Sequence, residues 1–108
     1  MQGNYKLMMG DTHVGTFTID RENDVWIYEA GHSHEEQPLV FKLLLRDQSE
    51  KKLSGEAVRD WIIGRAPEPN YEFIDALMEK VGISKYDPLA FVEYNGGRFN
   101  KDSYYLIK

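Results

Sequence analysis

Cysteine is absent from the 108 residues, which excludes disulfide bonds and thiolate metal sites and is compatible with a reducing compartment. Long apolar runs are missing too: no stretch approaches the roughly 20 residues needed to cross a bilayer. The N-terminus has no basic-then-apolar leader pattern, so a cytoplasmic protein with no membrane partner is expected. Positive charge is scarce. Thirteen Lys and Arg against 18 Asp and Glu give a net charge of −5. A general nucleic-acid binder needs a basic stripe, so direct nucleic-acid binding is not expected. An acidic surface does suit a basic protein partner.

What is present describes a folded domain. Hydrophobic residues make up 42% and charged residues 29%, a balance typical of globular rather than disordered chains. Seven Tyr, five Phe and two Trp supply bulk for a core. The length suits one core without staples, and no repeat or linker divides it. A single domain over residues 1–108 is expected.

The first half reads as strands. Tyr5–Met9, Val14–Ile19 and Val25–Tyr28 are rich in β-branched and aromatic residues and are separated by polar turns at Gly10–His13 and Asp20–Asp24. They predict an antiparallel meander. A polar loop covers Gly31–Gln37. After Pro38 the run Leu39–Leu45 places Leu39, Phe41, Leu43 and Leu45 on one face at period two, and a fourth strand is expected there, although a short helix can also be drawn through it. Arg46–Lys52 reads as a charged connection.

The second half reads as helices. Ser54 is the expected N-cap of a first helix, with Glu56 near the positive end of its dipole. Ala57, Val58, Trp61 and Ile62 follow at helical spacing, and Gly64 with Pro67 and Pro69 stops the run. Asn70 is the expected cap of a second helix, whose stripe is Tyr71, Ile74, Leu77, Met78 and Val81 and whose stop is Gly82. Asp87 caps a third, with Pro88 at its first position. Leu89, Phe91 and Val92 face inward, and Asn95-Gly96-Gly97 ends the helix. Tyr104–Ile107 is a final strand. The expected fold is therefore α+β: an antiparallel sheet of about four to five strands, mainly N-terminal, packed with about three C-terminal helices.

Chemistry-bearing patterns are few. His32-Ser33-His34-Glu35-Glu36 offers imidazole and carboxylate ligands for a metal such as zinc and supports an alternative reading as a small metal-dependent hydrolase. That reading needs a third ligand, such as His13, from elsewhere; the plainer one is a solvated loop. Gly96-Gly97-Arg98 lacks the pattern of a phosphate-binding loop and reads as a helix end with an exposed Arg. Asp60, Glu79 and Glu93 read as solvated carboxylates, because nothing in the sequence pairs them. Trp61 has two compatible readings, as core and as an interface anchor. Arg65, one turn on, would sit beside it within reach of a partner carboxylate.

Taken in order, several motifs resemble the N-terminal subdomain of HipA-like toxin kinases. They are Val14-Gly15-Thr16-Phe17, Pro38-Leu39-Val40-Phe41-Lys42-Leu43, the turn Ile63–Glu68, and Asp87-Pro88-Leu89-Ala90-Phe91-Val92 with Gly97-Arg98. Trp61 with Arg65, and Asp102-Ser103-Tyr104-Tyr105, look like features of some relatives. Tyr71 stands where an Arg is usual, and Tyr104-Tyr105 where a Gly-Ala pair is common.

The resemblance implies a fold and a role. In that family the ATP loop, the catalytic Asp and the metal-binding Asp lie beyond this subdomain, so the expectation is a chain without kinase activity and without a cofactor. Its implied partner is a separately encoded HipA-like serine/threonine kinase, which it would regulate in a toxin–antitoxin system. The expected contact residues are Trp61, Arg65, Pro67, Pro69 and Tyr71. A further alternative is a mobile-element inhibitor of some other host enzyme.

Overall fold

A computed structural model of the chain describes residues 1–46 and 48–108. Three strands open it: β1 (Gly3–Met9), β2 (Thr12–Asp20) and β3 (Val25–Ala30). Then come α1 (Leu39–Leu45), β4 (Lys52–Ser54), α2 (Glu56–Ile63), α3 (Ile74–Val81), α4 (Pro88–Tyr94) and β5 (Tyr104–Ile107). The strands form one antiparallel sheet in the order β4-β3-β2-β1-β5. The expected meander is present, and the α+β class holds. The layout differs: α1 interrupts the strand-rich half, and the described residues contain four helices.

Strand alternation sends one face inward and leaves the other to solvent. Tyr5 and Leu7 of β1, Phe17 and Ile19 of β2, and Trp26 and Tyr28 of β3 are buried. Val14 is the extra residue of a bulge, because Leu7 pairs with Gly15 while Met8 pairs with His13. Its carbonyl accepts from the Gly31 N–H at 2.8 Å and from Gln37 Nε2 at 2.8 Å. Buried Gln37 also takes a hydrogen bond from the Tyr28 hydroxyl, so the loop ahead of α1 is tied to the sheet interior.

Leu39–Leu45 is a helix, not a strand. Phe41 and Leu45, four residues apart, are its buried residues. Phe41 joins an aromatic cluster with Phe17, Tyr28 and Trp61. A seven-residue apolar run satisfies either period, so periodicity alone does not choose between them. The strand beside β3 is instead Lys52–Ser54.

Two caps also differ from expectation. Ser54 ends β4, paired with Ile27, and Gly55 at φ +99° begins α2. The Gly55 N–H is spent on the Trp26 carbonyl, and no side chain caps the helix. Asn70 lies in a turn, and α3 begins three residues later than that cap would place it, after Phe73. The other caps match. Asp87 accepts from the Leu89 N–H with Pro88 following, and Gly82 is left-handed with its N–H on the Met78 carbonyl. Leu89, Phe91 and Val92 are buried. Among the described residues no helix is long and apolar enough to cross a membrane.

Candidate protein-binding groove

The groove is built around the end of α2. Past Gly64 the chain puts Arg65 into the interior, 7% exposed. Its guanidinium meets Asp102 in a two-pronged pair and also donates to the carbonyls of Gly97 and Tyr104. It lies 4.5 Å from the centre of the Trp61 ring and 5.6 Å from that of Phe99. A planar cation that is paired and stacked in this way tolerates burial better than a lysine would. Burial pushes the Asp102 carboxyl up, but the hydrogen bonds and charge of Arg65, with the Tyr104 N–H, outweigh it and hold the group below the usual carboxylate range.

Arg65 thus locks three segments together: the exit of α2, the end of α4 and the start of β5. Through the Tyr104 carbonyl it also satisfies part of the outer edge of β5, where the Leu106 N–H donates to the Gly96 carbonyl at 2.7 Å. The glycine pair does similar work. Gly96 and Gly97, both at positive φ, close α4 by returning their N–H groups to the carbonyls of Glu93 and Val92. Leu106 of β5 packs where a Gly97 side chain would stand. Arg98 is exposed and lies over the Tyr105 ring. The expected helix end is what forms.

Above this floor a cleft of about 500 Å³ opens between the 65–71 turn, α3 and the loop after α4. A second cleft of about 240 Å³, between α3 and α4, shares Arg65, Pro67, Leu77 and Asn95 with the first, so the two form one groove. Its surroundings are aromatic. Tyr71 (45% exposed) and Phe73 (57%) pack edge to face at 5.6 Å, and Tyr94 (56%) stands on the α4 side. Tyr86 donates to the Pro67 carbonyl at 2.7 Å, and burial and then the charges of Glu68 and Asp87 raise its pKa. No residue of α3 is fully buried; Ile74, Leu77, Met78 and Val81 of the expected stripe lie on it, whereas Tyr71 falls in the turn before it.

The five sequence-predicted contact residues separate into three kinds. Trp61 is partly buried and packs against the core, stacked on Phe17 at 5.6 Å and against Phe41 and Tyr104. Arg65 is beside it as expected, but its fork is taken by Asp102 rather than free for a partner. Pro67 and Tyr71 line the groove, while Pro69 is exposed outside it. The sequence reading missed Tyr94 and Asn95, which line the groove, and Phe73, which lies outside the lining but packs on Tyr71. The signal for Phe73 was its place in a Pro-x-Pro-Asn-Tyr-x-Phe turn, where neither aromatic ring has a helix face to join. The His32–Glu36 loop contributes nothing to the groove, and among the described residues no three or more His, Asp or Glu side chains are arranged to hold a metal.

Comparison with curated proteins and with solved structures gave no match. The family described as the HipA N-terminal domain matches residues 5–99, from β1 through α4 to Phe99 at the groove. With that match covering most of its length, the chain belongs to the HipA N-terminal domain family.

Proposed function

We propose that this chain is a non-catalytic binding module that docks on a separately encoded HipA-like serine/threonine kinase and regulates it as the antitoxin-like half of a toxin–antitoxin pair. The observation that carries this reading is the family match over residues 5–99, which encompasses the groove between the 65–71 turn, α3 and α4. Tyr71, Phe73 and Tyr94 are the anchors, since rigid aromatic side chains dominate protein-binding hot spots. The Arg65–Asp102 pair acts beneath them by fixing the floor, so little ordering is left to be done on binding. Regulation is steric: the helical half covers a surface of the kinase lobe.

Phosphoryl transfer requires a phosphate cradle, a metal-holding Asp and a group that positions the nucleophile. In this chain the Gly96-Gly97 N–H groups close α4 instead. Co-expression with a HipA-like kinase encoded beside this chain tests the reading. The expected result is co-purification and relief of kinase toxicity; a kinase that neither co-purifies nor loses toxicity would contradict it.

A further inference from the structure

Helix α1 is apolar on nearly every side. Phe41 and Leu45 face the core, while Leu39 (70% exposed), Val40 (43%), Leu43 (58%) and Leu44 (42%) face outward. Positions i, i+1, i+4 and i+5 form one continuous helical stripe. A helix that is hydrophobic all round belongs in a buried setting, yet this chain covers only one side of it. The outer stripe contains no polar residue, and no residue of α1 lines the groove.

We propose that this outer face of α1 is the interface of a two-fold dimer of the chain. The argument for a second copy is charge. Glu35 and Glu36 precede the helix, where the Lys42 ammonium reaches back to the Glu35 carbonyl at 3.0 Å and offsets part of their charge, whereas Arg46 lies at the other end. Beyond Arg46, Lys51 and Lys52 balance Asp47 and Glu50, so the C-terminal flank as a whole is basic. The ends of α1 are therefore opposite in sign. A two-fold axis through the middle of the stripe runs the two helices antiparallel. Leu39 then meets Leu44 of the other copy, Val40 meets Leu43, and each acidic flank meets a basic one. Such a face is complementary to itself, the property an isologous interface requires.

Area sets the strength. A patch of a few hundred Å² is as large as a typical monomer exposes. Doubled across the axis and rimmed by the charged flanks, it comes near the roughly 1,000 Å² at which specific interfaces begin. The dimer is accordingly concentration-dependent, not obligate.

Sedimentation equilibrium of the full chain over a wide concentration range is the test, with circular dichroism to verify folding. The wild type is expected to pass from monomer to dimer mass. Leu43→Glu, at an exposed position, is expected to keep the fold and weaken dimerisation about tenfold or more. Glu35→Lys and Arg46→Glu are each expected to weaken it, and the two together to restore it. A wild type that stays monomeric would overturn the proposal, including one whose α1 face instead binds the kinase. So would a dimer that survives Leu43→Glu, or charge reversals that fail to compensate.

Discussion

Arg65 and Asp102, 37 residues apart, face each other squarely: Nη1 to Oδ2 at 2.8 Å and Nη2 to Oδ1 at 2.7 Å. The Arg65 side chain is 3% exposed and that of Asp102 29%. Truncating Arg65 leaves the Gly97 and Tyr104 carbonyls without their guanidinium donor and Asp102 unpaired. Breaking a fully buried pair costs about 3–5 kcal/mol, and the partial exposure of Asp102 brings the expected cost of Arg65→Met to about 2–3 kcal/mol. In a domain near this size that lowers the melting temperature by roughly 10–20 °C. Arg65→Lys keeps the charge but not the fork, and should restore less than half of the loss. Urea unfolding of the three proteins measures both.

The same pair sets a pH dependence. The Asp102 carboxyl titrates below its usual range in the folded protein. Protonation is therefore easier in the unfolded chain, where the group titrates near about 4. The stabilisation is full above that value and is lost as the pH falls through the lower, folded pKa. Wild type should lose more stability than Asp102→Asn between neutral pH and about pH 3, as read from urea midpoints. Equal losses would remove Asp102 from the account.

Gly97 and Gly82 separate steric from conformational cost. Both have positive φ, +70° and +88°. A Cβ on Gly97 would stand 2.5 Å from Leu106 Cγ, whereas one on Gly82 meets nothing within 4 Å. Gly82→Ala should cost only the left-handed strain, about 1 kcal/mol. Gly97→Ala adds displacement of a buried leucine and should cost about 2–4 kcal/mol. Thermal denaturation of the two variants gives the comparison.

Tyr28 and Gln37 predict a smaller effect. Burial, and then the charge of Tyr104, raise the Tyr28 phenol pKa far above its ordinary range against the opposing Gln37 hydrogen bond. The hydroxyl thus stays a donor throughout the neutral range. Tyr28→Phe leaves the Gln37 side-chain oxygen buried without that donor, at about 1–2 kcal/mol. Amide exchange should increase mainly in the 31–38 loop, which Gln37 holds through the carbonyls of Val14 and Ser33.

The strands and the later helices were legible because their patterns were unambiguous. Val14–Ile19 and Val25–Tyr28 are bounded by turns, and α4 has an Asp-Pro start and a double-glycine stop. The run at Leu39–Leu45 was not, since a stretch with one charged residue in seven supports both periods. Only its packing, with Phe41 among the aromatic rings and Leu45 a turn below, makes it a helix. Trp61 and Arg65 are neighbours, as their spacing predicts, but the burial of Arg65 depends on Asp102 and Gly97, more than 30 residues away in sequence. Tyr71 was among the expected contact residues, but its exposed neighbour Phe73 was not, because Asn70 was read as a cap whereas the helix begins only after Phe73.

Binding to the kinase is the central claim, and calorimetric titration of the purified chain into a HipA-like kinase encoded beside it tests that claim most directly. The predicted result is one chain bound per kinase lobe, with affinity reduced about tenfold or more by either Tyr71→Ala or Phe73→Ala while the melting temperature stays unchanged. No detectable binding, or binding indifferent to both substitutions, would contradict the account.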